Sequence, residues 1–246
     1  MNVLVIGDSC KDVFVYGKCD RLAPAGPVPV FVPLYSKENK GMAGNVYENL
    51  LSLQSIKTDL ITNTTEIVKT RYVHELTNHM FVRVDSGEGA VERVKNIEKI
   101  KFSKYDAIII SDYDKGFLTE EDIFYIGKSH PLTFLDTKKI LGPWVESIRY
   151  IKINNEEYSR TRHTIENNKA LKDKLIITLG SKGCSYRKKE FPVNAVEIKD
   201  LTGAGDTFLA ALVFKFLIDG NIYDAINFAN ECATLVVQQK GVNTIR

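Results

Sequence analysis

Short runs of β-branched and aliphatic residues alternate with amphipathic stretches along most of this chain. This alternation is typical of a parallel sheet that is covered by helices. It predicts strands at residues 3–6, 59–61, 107–111, 132–136, 150–153 and 175–179. It predicts helices at residues 43–52, 120–128, 167–172, 207–218 and 222–239. We therefore expect an α/β fold in which polar residues that follow the strands gather at one edge of the sheet.

Two regions break this alternation. Residues 13–17 and 28–32 are β-rich and flank a Pro-Ala-Gly-Pro turn, and residues 70–84 contain another β-rich stretch. They predict a small second sheet that serves as a lid, with strands drawn from about 13–35 and 70–85 of a single domain, 1–246. A solvent-exposed hairpin without a function is the alternative interpretation.

The composition narrows the classes of partner. The 246-residue chain is 44% hydrophobic, and its 33 lysines and arginines nearly balance its 31 aspartates and glutamates. This balance predicts no nucleic-acid or membrane partner, and no apolar run approaches the length of a membrane span. The four cysteines lack metal-ligand spacing and no signal peptide is evident, so we expect reduced thiols in a cytoplasmic protein.

The most informative segment is residues 200–208, Asp-Leu-Thr-Gly-Ala-Gly-Asp-Thr-Phe, which leads into an apolar stretch. A glycine-rich turn that opens a helix exposes N–H groups and the positive end of the helix dipole, so it can bind a phosphate. Gly203, Ala204 and Gly205 are expected to supply these groups. A carboxylate in such a loop indicates a chemical role, and we predict that Asp206 is a general base for a hydroxyl. An ordinary helix start capped by Asp206 is the alternative.

The same nonamer resembles the signature of the PfkB/ribokinase family of carbohydrate kinases. Residues 7–12, 21–30 and 111–116 resemble the members that phosphorylate D-glycero-D-manno-heptose 7-phosphate at its anomeric hydroxyl. The resemblance implies a ribokinase-like three-layer sandwich with a mainly parallel central sheet and a β-sheet lid. It also implies an ATP-dependent sugar kinase that uses Mg²⁺, with K⁺ as a further candidate, and a homodimer that forms through the lid.

On the sugar side, Asp12 corresponds to the family aspartate that hydrogen-bonds sugar hydroxyls, and Asp8 lies in the same opening motif. A helix cap or a turn is the alternative for both. Gly41 and Asn45 correspond to a Gly-Gly-x-x-Asn element that contacts the sugar. Met42 stands in place of the second glycine of that element.

A phosphorylated sugar also needs a phosphate clamp. The expected members are basic residues in or near the lid, namely Arg71, Arg83, Lys115 and Arg21. Arginine binds phosphate in a bidentate manner and lysine as a point charge. A surface salt bridge is the alternative interpretation of each of these residues.

On the nucleotide side, Lys138 is expected to neutralise phosphate charge. Asn154 and Glu157 match the family's Asn-x-x-Glu and are expected to organise a hydrated Mg²⁺, with Glu157 acting through water. A plain helix start is the alternative for this pair. Further nucleotide contacts are expected at Thr178, Gly180, Gly183, Asn230 and Asn243.

For these further contacts, a strand-to-hairpin turn is the alternative at residues 178–183. A cap or turn is the alternative for the two asparagines. Asp200 and Thr202 coincide with family positions that help to bind a monovalent cation.

The sequence also departs from the family pattern. Only residues 63–69 connect the strand at 59–61 to the lid, where relatives carry a further helix and strand, so the core sheet is expected to lack an element. No nucleotidyltransferase domain follows residue 246 in this sequence, so only the kinase step is expected. Two rival functions stay open: a kinase for an unphosphorylated sugar or nucleoside, and a degenerate member that only binds a ligand or partner.

Overall fold

The computed structural model describes residues 1–53, 55–166 and 168–245. In chain order, its strands are β1 (Asn2–Gly7), β2 (Ser9–Leu22), β3 (Pro29–Met42), β4 (Lys57–Thr62), β5 (Val68–His74), β6 (Met80–Ser86), β7 (Ala107–Asp112), β8 (Thr133–Thr137), β9 (Tyr150–Asn154), β10 (Leu175–Thr178), β11 (Cys184–Tyr186) and β12 (Lys189–Phe191). Its α-helices are α1 (Ala43–Ser52), α2 (Glu120–Ser129), α3 (Asn155–Ile165), α4 (Lys169–Lys172), α5 (Ala204–Asp219) and α6 (Ile222–Val236). Short 3₁₀ turns lie at Glu88–Ala90, Ile97–Lys99, Phe102–Lys104, Pro143–Val145 and Gly180–Lys182.

Eight strands form the central sheet, in the order β12-β11-β10-β9-β8-β7-β1-β4. The strands from β10 to β4 run parallel, and β11 and β12 add an antiparallel hairpin at one side. The carboxyl ends of the parallel strands share one edge, where Asp112, Thr137 and Asn154 lie at the ends of neighbouring strands. This edge is where ligands bind in open α/β sheets.

The side-chain alternation of the strands creates a core on each face of the central sheet. In β1, Val3 and Val5 pack in the cluster beneath α1, α5 and α6, whereas Leu4 and Ile6 pack in the cluster beneath α2 and α3. The two helical layers and the sheet form the expected three-layer sandwich. Helix α5 is buried along its first half, which explains why its sequence lacks a polar face there.

The predicted second sheet is also present, with strand order β3-β2-β5-β6, and we refer to it as the lid. Strand β2 begins directly after β1 and Asp8, so the lid leaves the central sheet at the ligand edge. In the first part of β2, buried residues alternate with half-buried ones, and Asp12, Phe14 and Tyr16 face inward. The lid strands at 9–22 and 29–42 are longer than the sequence pattern indicated.

Most predicted elements of the core are confirmed with small changes at their ends. The helix expected at 207–218 begins earlier, at Ala204, because Gly203 supplies the left-handed backbone that starts it. Helix α3 and the β11–β12 hairpin were missed, since α3 has a polar sequence and each hairpin strand has only three residues. The predicted helix at 167–172 starts at a residue outside the described part, and within that part α4 spans Lys169–Lys172.

The shortened connection near residues 63–69 leaves β4 as the last strand of the central sheet in the described part of the chain. Asn63 fastens this connection to the start of the lid, because its side-chain amide accepts a bond from Ser9 N at 2.7 Å and donates to Ser9 O at 3.1 Å. Among the described residues, no helix is long and apolar enough to cross a bilayer.

Candidate active site

Helix α5 begins with the glycine-rich turn that the sequence singled out. Gly203 has φ 83°, and a Cβ atom there would lie 2.6 Å from Asn45 Nδ2, so both the backbone conformation and the space favour glycine. Within the described residues, the N–H groups of Gly205 and Asp206 have no hydrogen-bond partner. The helix start therefore presents donors for an anion, but the N–H of Ala204, which the sequence also assigned to this role, bonds to Leu201 O at 3.3 Å.

Asp206 lies in the first turn of α5 and is 3% exposed. Its two carboxylate oxygens accept bonds from different elements: Asn45 Nδ2 lies 3.0 Å from Oδ2, and Tyr113 Oη lies 2.7 Å from Oδ1. Burial raises the pKa of Asp206 to about 6, against the lowering effect of these two hydrogen bonds. A carboxylate with a pKa near neutrality is suited to accept a proton from a hydroxyl.

A buried ion pair lies next to this loop. Lys152 on β9 is 4% exposed, and its Nζ is 2.6 Å from Asp136 Oδ2 on β8. The same Nζ lies 2.9 Å from where a Cβ on Gly205 would be, so the ammonium is against the first turn of α5. Burial tends to raise the pKa of Asp136, but Lys152 and Lys138 outweigh that effect and lower it. The loop thus combines free N–H groups with buried positive charge.

Lys138 and Glu157 meet at the neighbouring strand ends. Lys138 Nζ forms an ion pair with Glu157 Oε1 and lies 3.8 Å from Asp136 Oδ1. Burial works to lower the pKa of Lys138, but Asp136 and Glu157 raise it overall. In the described part of the chain, Asp136 Oδ1 has no hydrogen-bond partner. This carboxylate oxygen can therefore accept a hydrogen bond from a water ligand of a hydrated cation.

Asn154 and Glu157 form the capping box of α3. The Asn154 side chain accepts a bond from Glu157 N at 2.8 Å, and Glu157 Oε2 accepts one from Asn154 N at 2.7 Å. The two side chains therefore cap the start of α3, which was the alternative interpretation of this pair. Within the described residues, no cluster of three histidine, cysteine, aspartate or glutamate side chains has the geometry of a metal site. A cation here would keep most of its water ligands.

On the lid side, Asp12 is 4% exposed and is ion-paired with Arg71, whose guanidinium lies 5.0 Å from the centre of the Phe14 ring. A Cβ on Gly41 would lie 2.2 Å from Asp12 Oδ2, so glycine at 41 makes room for this carboxylate. Asp12, Arg71 and Gly41 are thus brought together next to Asn45, four residues along the chain from Gly41.

Asp8 has a different environment. It is fully buried, and its carboxylate accepts backbone N–H bonds from Tyr113 at 2.8 Å, Lys115 at 3.4 Å and Phe117 at 3.3 Å. The turn interpretation is therefore correct and the prediction of a direct sugar contact is wrong, because the acceptor oxygens are turned toward the 113–117 loop. A buried carboxylate at a strand end is well suited to organise such a loop.

The four members of the expected phosphate clamp do not form one cluster. Arg71 and Arg83 are neighbours in the register of β5 and β6, but Arg83 is 48% exposed and bonds Asp85. Lys115 pairs with Glu88 at 2.7 Å. Arg21 is nine residues along β2 from Asp12, which is roughly 30 Å at the usual strand rise. Arg21 is therefore excluded from the clamp, because it lies at the far end of the lid.

A mainly apolar cavity of about 220 Å³ lies on the other side of the α5 loop. It is lined by predicted nucleotide residues together with residues of α5 and α6, among them Thr178, Gly180, Gly183, Gly205 and Asn230. Gly183 has φ 85° and a Cβ there would lie 2.0 Å from Phe191 O, so the Thr-x-Gly-x-x-Gly turn requires glycine at this position. The turn interpretation and a nucleotide contact are compatible here.

Asn243 does not join that cavity. It lines a second cavity of about 380 Å³ with Phe14, Tyr16, Lys37 and Lys240, and its amide donates to Gly241 O at 2.8 Å. The prediction that Asn243 faces the nucleotide base is therefore wrong. Asn243 is a turn residue between the lid and the carboxyl-terminal segment.

Asp200 and Thr202 lie just before the α5 loop. The Asp200 carboxylate accepts bonds from Thr202 N at 2.8 Å and Gly241 N at 3.1 Å. The structure thus gives Asp200 two backbone partners, and its role toward a monovalent cation stays a prediction.

Two residues of this site were missed by the sequence analysis. Tyr113 belongs to the 111–116 segment that carried a family resemblance, but no role was assigned to it. Lys152 lies in the middle of an otherwise apolar strand, and a lysine flanked by isoleucines in a buried run is a detectable sign of a paired buried charge.

The family model described as pfkB family carbohydrate kinase matches residues 39–246. The chain belongs to the pfkB family of carbohydrate kinases. This membership confirms the enzyme class expected from residues 200–208, an ATP-dependent sugar kinase.

The chain is similar to the bifunctional protein HldE of a Nitratiruptor species, at 31% identity over 292 aligned positions that cover 99% of this chain and 63% of that protein. HldE of Helicobacter pylori is 29% identical over 98% of this chain and 63% of its own length. The chain therefore spans less than two thirds of the length of these relatives.

Solved structures of the ribokinase type share the fold. The ribokinase of Thermotoga maritima aligns with a TM-score of 0.71 at 15% identity, covering 98% of this chain and 94% of its own. Phosphofructokinase-2 of Escherichia coli, in complex with potassium, gives a TM-score of 0.71 at 12% identity, covering 99% and 94%. The ribokinase-like fold expected from the sequence is confirmed.

Proposed function

We propose that this kinase transfers the γ-phosphoryl group of ATP to a hydroxyl of a phosphorylated sugar, with D-glycero-D-manno-heptose 7-phosphate as the first candidate acceptor. The observation that carries the reaction type is Asp206, a buried carboxylate with a raised pKa beside unpaired N–H groups of α5. Similarity to HldE over nearly the whole chain supports the heptose acceptor.

In this proposal Asp206 accepts the proton of the acceptor hydroxyl while that oxygen forms a bond to the γ-phosphorus. The bond from the γ-phosphorus to the bridging oxygen breaks, and ADP leaves with that oxygen. The N–H groups of Gly205 and Asp206 hold the oxygens of the transferring group, and Lys152 adds positive charge beside them.

The nucleotide is assigned to the cavity lined by Thr178, Gly183 and Asn230, because that cavity opens beside Gly205 on α5. Mg²⁺ carried with the ATP phosphates would neutralise their charge, and Glu157 and Asp136 are the carboxylates that would hold its water ligands. Lys138, which now pairs with both, is placed to contact a phosphate.

The sugar is assigned to the space between the lid and α1. Asp12, Gly41 and Asn45 are grouped there, and Arg71 is a basic residue of the lid that is paired with Asp12. A kinase for an unphosphorylated sugar is the second candidate, because the existing ion pair of Arg71 reduces the positive charge that is available to a second phosphate.

The lid is also the proposed dimer surface. On the edge strand β6, Val82 and Val84 point to the same face and are each about half exposed, and Met80 is half exposed at the start of the strand. An apolar stripe on an edge strand favours association with another copy. Analytical ultracentrifugation should show a dimer that is weakened by Val82→Glu, whereas a monomeric wild type would exclude it.

Turnover assays test the proposed reaction. With ATP and Mg²⁺, the heptose 7-phosphate should react faster than free heptose, ribose or a nucleoside, and Asp206→Asn should lower kcat on the order of 10²–10⁴-fold. ATP binding measured by calorimetry should change little in this variant. Near-normal turnover by Asp206→Asn would remove the base from the proposal, and preference for a free sugar would favour the second candidate.

A further inference from the structure

Asp206 is held in an unusual way for an acidic residue in the first turn of a helix. In α2 and α3, the acidic residue at the same position, Asp122 or Glu157, reaches back and accepts the N–H of the residue that caps the helix. Asp206 makes no such bond. Its oxygens are held instead by Tyr113 and Asn45, which come from other elements.

Tyr113 is fixed on several sides. Its backbone N–H donates to the buried Asp8, its ring packs in a cluster with Cys10 and Met42, and Lys138 Nζ lies 4.9 Å from the ring centre. Burial, together with the charge of Asp206, raises the pKa of Tyr113 well above its usual value. The phenol therefore keeps its proton and acts only as a donor to Asp206.

We propose that Tyr113 is a positioning residue for the base, and that its hydroxyl holds the Asp206 carboxylate ionised and turned away from its own helix amides. This inference rests on the proposed function, in which Asp206 takes the proton. A base that reached back in this way would bond the N–H of Gly203, one of the groups that the sequence predicted for the phosphoryl group. The hydrogen bond from Tyr113 keeps the two roles of the loop separate.

Several charged or titratable groups face Asp206 besides Tyr113, and they come from different elements. They are Cys10 on β2, Asp136 on β8, Lys138 after β8 and Lys152 on β9. A tyrosine-to-phenylalanine change leaves all of these in place, and Asn45 still holds Oδ2. The lost bond should therefore appear as a higher pKa of Asp206, since a donor to a carboxylate stabilises its ionised form.

The test is a ¹³C NMR titration of the carboxyl groups of the ligand-free protein. The Asp206 signal is identified as the one that is missing from the spectrum of Asp206→Asn. In Tyr113→Phe the Asp206 midpoint should move to higher pH by roughly half a unit or more. Tyr105→Phe is a matched control, because Tyr105 Oη also donates to an aspartate, Asp59 Oδ2, at 2.7 Å, on another part of the molecule. It should leave the Asp206 midpoint unchanged.

Replacement of Tyr113 by 3-fluorotyrosine, a stronger donor, should move the midpoint to lower pH and covers the case in which Tyr113→Phe does not fold. With ATP and heptose 7-phosphate, the acid limb of kcat/KM should follow the same shifts. A midpoint that stays in place or moves in the opposite direction overturns the inference. If Asp206→Asn is inactive and Tyr113→Phe titrates like wild type, only this inference fails; if Asp206→Asn is active, the proposed function fails.

Discussion

The ammonium nitrogen of Lys152 lies 2.9 Å from the position that a Cβ atom on Gly205 would occupy. The glycine of the anion-binding turn therefore serves two purposes, since it exposes its N–H group and allows a buried ammonium to approach the helix start. Asp136 pairs with this buried ammonium at 2.6 Å. A buried charge without a partner would be strongly unfavourable.

The Lys152–Asp136 pair leads to a stability prediction. Lys152→Met should lower the free energy of unfolding by roughly 3–5 kcal/mol, because it removes the nearer of the two ammonium groups beside the buried Asp136 and leaves only Lys138, 3.8 Å away. The double variant Lys152→Met/Asp136→Asn should recover most of this loss, since both side chains are then neutral and similar in size. Urea unfolding monitored by circular dichroism measures both. Equal stability of the single and double variants would show that the pair is not coupled.

Met42 gives a second prediction, because it occupies a glycine-like backbone conformation, φ 59° and ψ −133°, while its side chain is 3% exposed. Such strain costs about 1–3 kcal/mol for a residue with a Cβ. Met42→Ala loses the buried side chain and keeps the strain, whereas Met42→Gly loses both. Met42→Gly should therefore be the more stable of the two variants, which reverses the usual order of alanine and glycine.

The comparison is made by thermal or urea unfolding, with Ala229→Gly as a reference for an alanine in the middle of a helix. If Met42→Gly is less stable than Met42→Ala, the strain at this position is negligible. The result also bears on the family pattern, because Met42 has a positive φ at the position where that pattern has its second glycine.

The sequence was sufficient for the layers of the fold because its strands are short, apolar and bounded by polar residues. The first turn of α5 was likewise predictable from the spacing of its glycines. Helix α3 was missed because its stretch is polar, with only Thr161 and Ile165 among its later residues buried. Its stability comes from the capping box and from tertiary contacts, which hydrophobic periodicity does not record.

The sequence likewise predicted one part of the candidate site and not the other. Motif position was enough to bring Asp12, Asn45 and Asp206 into one region. It could not reveal that Asp8 is turned toward the 113–117 loop, nor that Arg71 is already paired with Asp12. Tyr113 reaches Asp206 across a separation of 93 residues, and such a contact depends on the packing of two distant loops.

The lid arginines give a prediction about the acceptor. Arg71→Ala should weaken binding of heptose 7-phosphate about tenfold or more, because an arginine–phosphate contact contributes roughly 1.5–3 kcal/mol. Arg83→Ala should have a smaller effect, since Arg83 is half exposed and bonded to Asp85. Calorimetry with the phosphosugar and with ATP separates the two ligands, and ATP affinity should hardly change. Wild-type phosphosugar affinity in both variants would contradict the assigned clamp.

The raised pKa of Asp206 predicts that the base itself destabilises the folded protein at neutral pH. Its pKa is about 6 in the folded chain and 3.8 as the ordinary value, so the folded state binds the proton more tightly than the unfolded state. Below about pH 4 the group is protonated in both states and has no such effect; as the pH rises through 6, stability is lost. At 1.36 kcal/mol per pKa unit the full loss is about 3 kcal/mol.

Asp206→Asn cannot ionise, so its stability relative to wild type should increase between pH 4 and pH 7 by about that amount. Urea unfolding at both pH values measures this difference, with Asp106→Asn as an exposed control that should show no comparable gain. A difference between Asp206→Asn and wild type that is independent of pH would show that the folded environment does not raise the pKa of this carboxylate.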